Sequence, residues 1–134
     1  MLKQTFWILI FLSIVSGCTP SMKPQDLYGE WKYIKVENPN QSPPNSTSEE
    51  ELSENDPSVI FTSKGDMVMI WGGKQLSHGT FKLEYPTISY RESMADGNIR
   101  NIRFLIKKFD QDFLVFETME ADAVRVTARK VAAK

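Results

Sequence analysis

The chain has 134 residues, of which 16 are basic and 17 acidic, and its formal net charge is −1. This length allows one domain with a core of useful size and excludes two, while the balanced charge gives no reason to expect a nucleic-acid partner. A single cysteine excludes a disulfide framework, so the domain has to rely on hydrophobic packing. We expect it to be a monomer.

Residues 1–17 have the organisation of a secretory signal peptide. Lys3 supplies a positive charge, residues 6–15 form an almost unbroken apolar run, and Ser16 and Gly17 are the small residues that a signal peptidase needs. The run is shorter than the roughly 20 apolar residues that span a bilayer. The sequence therefore predicts export.

The end of this leader contains the only cysteine of the chain. In Val15-Ser16-Gly17-Cys18 an aliphatic residue and two small ones precede the thiol, which resembles the lipobox of bacterial lipoproteins. The resemblance implies that Cys18 carries a diacylglycerol, becomes the N-terminus after cleavage, and is acylated on its amine by a fatty acid such as palmitate. No other cofactor is expected. The alternative is an ordinary signal peptide cut near Gly17.

The same resemblance suggests a location. Lipoprotein sorting in Gram-negative envelopes commonly reads the residue after the cysteine, where Asp favours the inner membrane. Here that residue is Thr19, so we expect a lipid-anchored protein on the outer membrane, facing the periplasm. Residues 18–25 contain Pro20 and Pro24 and form a short stiff tether, which holds the domain of residues 26–134 near the bilayer.

The first predicted strand, residues 31–37, has apolar side chains on both faces. Trp31 and Tyr33 share one face, whereas Ile34 and Val36 lie on the other. Two explanations remain open: the strand is covered on both sides, or a bulge switches the sides.

Residues 38–57 form one long connection that is rich in Pro, Ser and Asn. The order Ser48-Glu49-Glu50-Glu51 fits a capping box and predicts a short helix that ends near Asn55. A connection of this length in a compact domain is either a lid or disordered. Its acidic residues lack the spacing of a calcium loop and are interpreted as a solvated face.

The rest of the chain consists of short alternating apolar runs separated by turn residues. The eight predicted strands are residues 31–37, 58–63, 67–71, 75–83, 87–92, 99–109, 113–118 and 123–131. Consecutive antiparallel strands leave two open edges unless the sheet closes on itself. The predicted fold is therefore all-β, an eight-stranded antiparallel up-and-down barrel.

Four segments together resemble lipocalins, and especially the lipocalin-like domains of bacterial lipoproteins. They are the Gly29-Glu30-Trp31 opening within residues 26–33, the Gly turn of 60–66, the Gly-x-aromatic strand of 79–83 and the basic last strand of 125–130. The resemblance implies that Gly29 and Trp31 close one end of the barrel. It also implies that Arg125 or Arg129 covers the Trp31 ring, a contact that contributes about 0.5 to 2 kcal/mol.

Eight large side chains are predicted to point into the barrel, where they either fill it or line a cavity. They are Tyr33, Phe61, Met69, Trp71, Phe81, Tyr90, Phe104 and Phe116. A barrel of eight strands is just wide enough for either outcome. A cavity lined by these residues would bind a small hydrophobic or aromatic ligand.

No catalytic or metal-binding constellation is apparent. His78 is the only histidine, and it has no cysteine or second histidine with which to form a triad or a zinc site. Met67, Met69 and Trp71 share one strand face, but without further ligands this pattern is typical of core packing rather than of a copper site. We therefore expect no metal and no enzymatic activity.

Two functions remain open. The first is a membrane-anchored lipoprotein whose lipocalin-like barrel binds a small hydrophobic ligand, with residues 38–57 gating the mouth. The second is a filled barrel that serves as an interaction or structural module and docks an envelope protein through its long loop or an exposed strand face.

Overall fold

The computed structural model describes residues 22–132, so the predicted signal peptide, Cys18 and the first part of the tether lie outside the described residues. The remainder of the tether contains a single 3-10 turn, Pro24–Asp26. Nine strands and one helix follow: β1 (Gly29–Asn38), β2 (Asn45–Ser46), α1 (Glu49–Asn55), β3 (Ser58–Phe61), β4 (Asp66–Trp71), β5 (Lys74–Glu84), β6 (Thr87–Ser93), β7 (Ile99–Phe109), β8 (Phe113–Thr118) and β9 (Arg125–Lys130). Among residues 22–132, no helix has the length and apolar character needed to cross a bilayer.

The strands form one closed antiparallel barrel. From β3 to β9 each strand pairs with the next along the chain, β1 pairs with β3, and β9 pairs back onto β1. Closure pairs both edges of the sheet, which would otherwise expose unpaired backbone groups. The prediction of an eight-stranded up-and-down barrel is confirmed, and the two-residue strand β2 is an addition beside β1.

The apolar residues on both faces of β1 are explained by a β-bulge. The pairing of β1 with β9 runs from Tyr33 opposite Ala128 directly to Lys35 opposite Thr127, so Ile34 is the extra residue. Ile34 is 42% exposed, and Val36 lies on the inner face again, packed against the buried core with Tyr33. Of the two explanations left open, the bulge is the one observed.

The long connection packs along the second half of β1. Its helix α1 begins after Ser48, whose Oγ accepts a hydrogen bond from the Glu51 N–H at 3.1 Å, as the capping pattern predicts. Leu52 of α1 is buried. The Thr47 N–H donates to the Val36 carbonyl at 2.9 Å. The segment therefore supplies hydrogen-bond partners to the part of β1 that lies beyond the end of the four-residue strand β3.

The lower half of the barrel is filled with side chains. The largest fully buried residues on the inner face there are Trp31, Phe61, Met67, Ile88 and Leu114. They come from the start of β1 and β8, the end of β3, and the first residues of β4 and β6. This packed half, called the floor below, leaves the opposite half to hold any cavity.

Candidate functional site

The half of the barrel opposite the floor, called the upper half, contains a cavity of about 310 Å³ that is open at its mouth. Its lining residues alternate along the inner faces of seven strands and the adjoining turns: Tyr33, Val36, Met69, Trp71, Leu76, Ser77, Glu92, Met94, Arg100, Ile102, Phe104, Phe116, Thr118, Val124 and Val126. Most of these side chains are apolar or aromatic. The cavity is therefore a hydrophobic chamber above the floor.

The eight predicted interior residues divide between the cavity lining and the buried core outside it. Tyr33, Met69, Trp71, Phe104 and Phe116 line the cavity. The other three lie in the buried core outside that lining: Phe61 meets Phe81 edge to face at 5.0 Å, and the Tyr90 ring lies 6.4 Å from that of Phe104. Position along a strand does not decide the outcome alone: Phe104 lines the cavity although it pairs with the floor residue Ile88, whereas Tyr90 lies nearer the mouth and is not a lining residue.

Trp31 lies at the centre of the floor and has no exposed surface. Its indole Nε1 donates a hydrogen bond to the Leu27 carbonyl at 2.8 Å, and its ring meets Phe109 edge to face at 6.2 Å. Lys130 Nζ lies 4.6 Å from the ring centroid and also donates to the Tyr28 carbonyl. Each polar group of this floor therefore has a partner.

The cation on Trp31 is Lys130, which corrects the assignment of Arg125 or Arg129. Trp31 is the β1 residue opposite Lys130. Side chains alternate along a strand, so Lys130 lies on the inner side with Val126 and Ala128, whereas the two arginines lie on the outer side. Arg125 pairs with Glu117 at 2.7 Å, and Arg129 lies over the Phe113 ring at 5.3 Å.

Gly29 makes room for this lysine. Its φ is +120°, and a Cβ at this position would lie 3.0 Å from both Cε and Nζ of Lys130. A side chain here would be strained by the backbone conformation and would push the lysine off the indole. The Gly-x-Trp spacing thus has a physical reason: the glycine leaves space for the lysine that covers the tryptophan ring.

Four polar residues of the cavity wall were not predicted from the sequence: Ser77, Glu92, Arg100 and Thr118. The Ser77 Oγ and Tyr90 Oη share a hydrogen bond of 2.9 Å. Arg100 donates to Glu92 Oε1 from Nε at 3.1 Å and from Nη2 at 2.8 Å. The alternation of side chains along β6 could have revealed Glu92. It follows the inward residues Ile88 and Tyr90 at two-residue spacing, so its carboxylate is expected to face inward as well.

Burial changes the acidity of two phenols in this region. Desolvation, with a smaller effect of the neighbouring Tyr90, raises the pKa of Tyr33 well above its usual range. Desolvation and the Glu92 charge raise the pKa of Tyr90, while the hydrogen bond with Ser77 lowers it. Both hydroxyls therefore stay protonated and available as donors at neutral pH.

These shifts predict a loss of stability at alkaline pH. Above about pH 10 a solvated tyrosine loses its proton, so the unfolded chain binds fewer protons than the native one and the free energy of unfolding falls as pH rises. We expect a late step in tyrosinate absorbance that coincides with the loss of β-sheet circular dichroism. The step should be smaller in Tyr33→Phe. Ionisation of all four tyrosines with the barrel still folded would contradict this prediction.

Other depressions are less suited to binding. One of about 470 Å³ lies on the outer face of β5, β6 and β7, where polar side chains such as Lys82, Ser89 and Arg91 line it. Within the described part of the chain, no three His, Cys, Asp or Glu side chains come together as a metal site. His78 is exposed on β5.

The long connection does not form part of the cavity wall. All of residues 38–57 are described, and none of them is a lining residue. The helix α1 instead contacts β1 from the side, and the Gly72 N–H of the β4–β5 turn donates to the Asn55 carbonyl at 2.6 Å. The rim of the mouth is built from strand ends and their turns.

No family model matches this chain, and no curated protein matches it.

Proposed function

We propose that this protein is a bacterial lipoprotein, anchored through Cys18 to the outer membrane, whose barrel binds a small and largely apolar molecule. The observation that carries the binding function is the 310 Å³ cavity above the packed floor. The cavity favours this function over a wholly filled barrel that acts as an interaction module. Neither a nucleophile with its base nor a metal site is among the cavity residues, so binding rather than catalysis is proposed.

The size of the chamber limits the ligand. Pockets for small molecules have volumes of about 300–1,000 Å³, and this one is at the lower end of that range. A volume of about 310 Å³ corresponds to roughly ten water molecules at ~30 Å³ each. The ligand is therefore a compact molecule with on the order of ten non-hydrogen atoms and not a long acyl chain.

The anchor and the barrel have complementary roles in this proposal. Two or three acyl chains hold a small domain at the membrane, since each buried methylene contributes about 0.8 kcal/mol. The tether joins the barrel at its floor, just before Gly29, so the mouth lies at the end of the barrel away from the anchor. The protein would then hold its ligand at the membrane instead of carrying it through the periplasm.

A single substitution on β9 tests the binding function. Val126 is buried and lines the cavity, so Val126→Trp should occupy the chamber and expel the ligand. Native mass spectrometry of protein extracted from the cells that make it should reveal a bound small mass in the wild type and none in the variant.

The neighbouring residue provides the matched control. Thr127 lies on the same strand with the opposite orientation, opposite Lys35 and Val115, so Thr127→Trp should keep the bound mass. A wild-type protein that is always recovered without a small molecule, or a mass that persists in Val126→Trp, would count against ligand binding in this cavity.

A further inference from the structure

We propose that the cavity selects molecules that carry a protonated amine on an apolar or aromatic body. This inference rests on the proposed function and specifies the ligand class of the same site. Its basis is a buried carboxylate in the cavity wall that is only partly paired with an exposed arginine.

Glu92 and Arg100 are the only charged residues among those that line the cavity, and they are exposed to very different degrees. The Glu92 side chain is 5% exposed, whereas that of Arg100 is 59% exposed. The carboxylate is thus an interior group, and the guanidinium reaches it from the solvent at the rim. A molecule inside the chamber meets the negative partner first.

The pairing between them uses only one carboxylate oxygen. Both hydrogen bonds from Arg100 end on Oε1 of Glu92, and Oε2 receives no hydrogen bond from any residue between 22 and 132. No buried side-chain oxygen among the described residues lacks a partner, so this oxygen is accessible from the cavity, and a carboxylate oxygen in a largely apolar wall is a strong acceptor for a charged donor. An ammonium group on a ligand can donate to Oε2 without displacing Arg100.

The remaining wall favours a cation and disfavours an anion. Four aromatic rings line the chamber, those of Tyr33, Trp71, Phe104 and Phe116, and aromatic rings attract cations through their quadrupoles. The Glu92 charge is close enough to raise the pKa of Tyr90. An anionic ligand would be repelled by the same charge and would have to compete with it for Arg100.

The test compares three molecules with the same body and different head groups. 2-Phenylethylamine, 2-phenylethanol and phenylacetate are of nearly equal size and fit a chamber for about ten non-hydrogen atoms. Ligand-observed NMR would measure their affinities for the full-length protein in phosphatidylcholine nanodiscs, with empty nanodiscs as the blank.

We expect the amine to bind about tenfold or more tightly than the alcohol, as for a hydrogen bond to a charged group, and the acid to bind weakest. In Glu92→Gln the advantage of the amine over the alcohol should disappear, while the alcohol itself still binds. The wild-type series remains decisive if this variant fails to fold.

The outcomes separate this inference from the proposed function. If the alcohol or the acid binds as tightly as the amine, the cavity binds ligands but the amine preference is wrong. If the amine keeps its advantage in Glu92→Gln, the carboxylate is not its partner and the inference is overturned. If none of the three binds, both the inference and the proposed binding function fail.

Discussion

Replacing Trp31 with alanine is expected to lower the free energy of unfolding by about 3–5 kcal/mol, the usual cost of removing a fully buried aromatic side chain. The indole has no exposed surface and fills the centre of the floor. Its loss also leaves the Leu27 carbonyl without the Nε1 donor and Lys130 without the ring beneath it. Because the free energy of unfolding of a small domain is only about 5–15 kcal/mol, this substitution should remove a large fraction of the stability of the barrel. Urea denaturation of the full-length protein, followed by circular dichroism, measures it.

Trp71 offers a matched control because it is the same residue type in the other half of the barrel. It is only half-buried and lines the cavity, so Trp71→Ala enlarges an existing space and creates no new void in the packed floor. We expect it to cost clearly less than Trp31→Ala. Equal costs for the two variants would mean that the floor does not carry the stability of the barrel.

Replacing Cys18 with alanine is expected to abolish incorporation of labelled palmitate and to release the protein from the membrane fraction. No other side chain in the sequence offers a thiol for the diacylglycerol, so the effect should be close to complete. Metabolic labelling followed by membrane fractionation measures it. The intact mass of the wild-type protein should correspond to a chain that begins at an acylated Cys18.

The neighbouring Thr19 provides the control for this experiment. Thr19→Ala leaves the thiol and the preceding Val15-Ser16-Gly17 unchanged, so label should still enter the protein. A wild-type protein that takes up no palmitate, or that begins at a residue other than Cys18, would contradict the anchor and leave an ordinary signal peptide as the explanation.

The barrel could be predicted from sequence because its determinants are local. Alternation of apolar residues and turn signals locates the strands, and the absence of a long helix leaves closure as the way to pair the edges. The short helix α1 was predicted from its N-cap at Ser48 for the same kind of reason.

What could not be predicted depends on contacts between distant strands. Register decides that Lys130 rather than Arg125 or Arg129 lies opposite Trp31, and the Ile34 bulge resets which residues of β1 face inward. The division of the inward residues between the buried core and the cavity lining depends on packing across the barrel, which no single strand reveals. Glu92 and Arg100 are eight residues apart and meet only because β6 and β7 pair directly opposite each other at these two residues.

The most direct test of the account is to place an apolar probe inside the barrel. Crystals of the protein soaked with bromobenzene should show the anomalous signal of bromine in the chamber lined by Trp71, Phe104 and Phe116, because an apolar cavity readily takes up an aromatic molecule of this kind. Bromine found only on the outer surface, with the chamber filled by the protein's own side chains, would contradict the proposal that this barrel is built to hold a ligand.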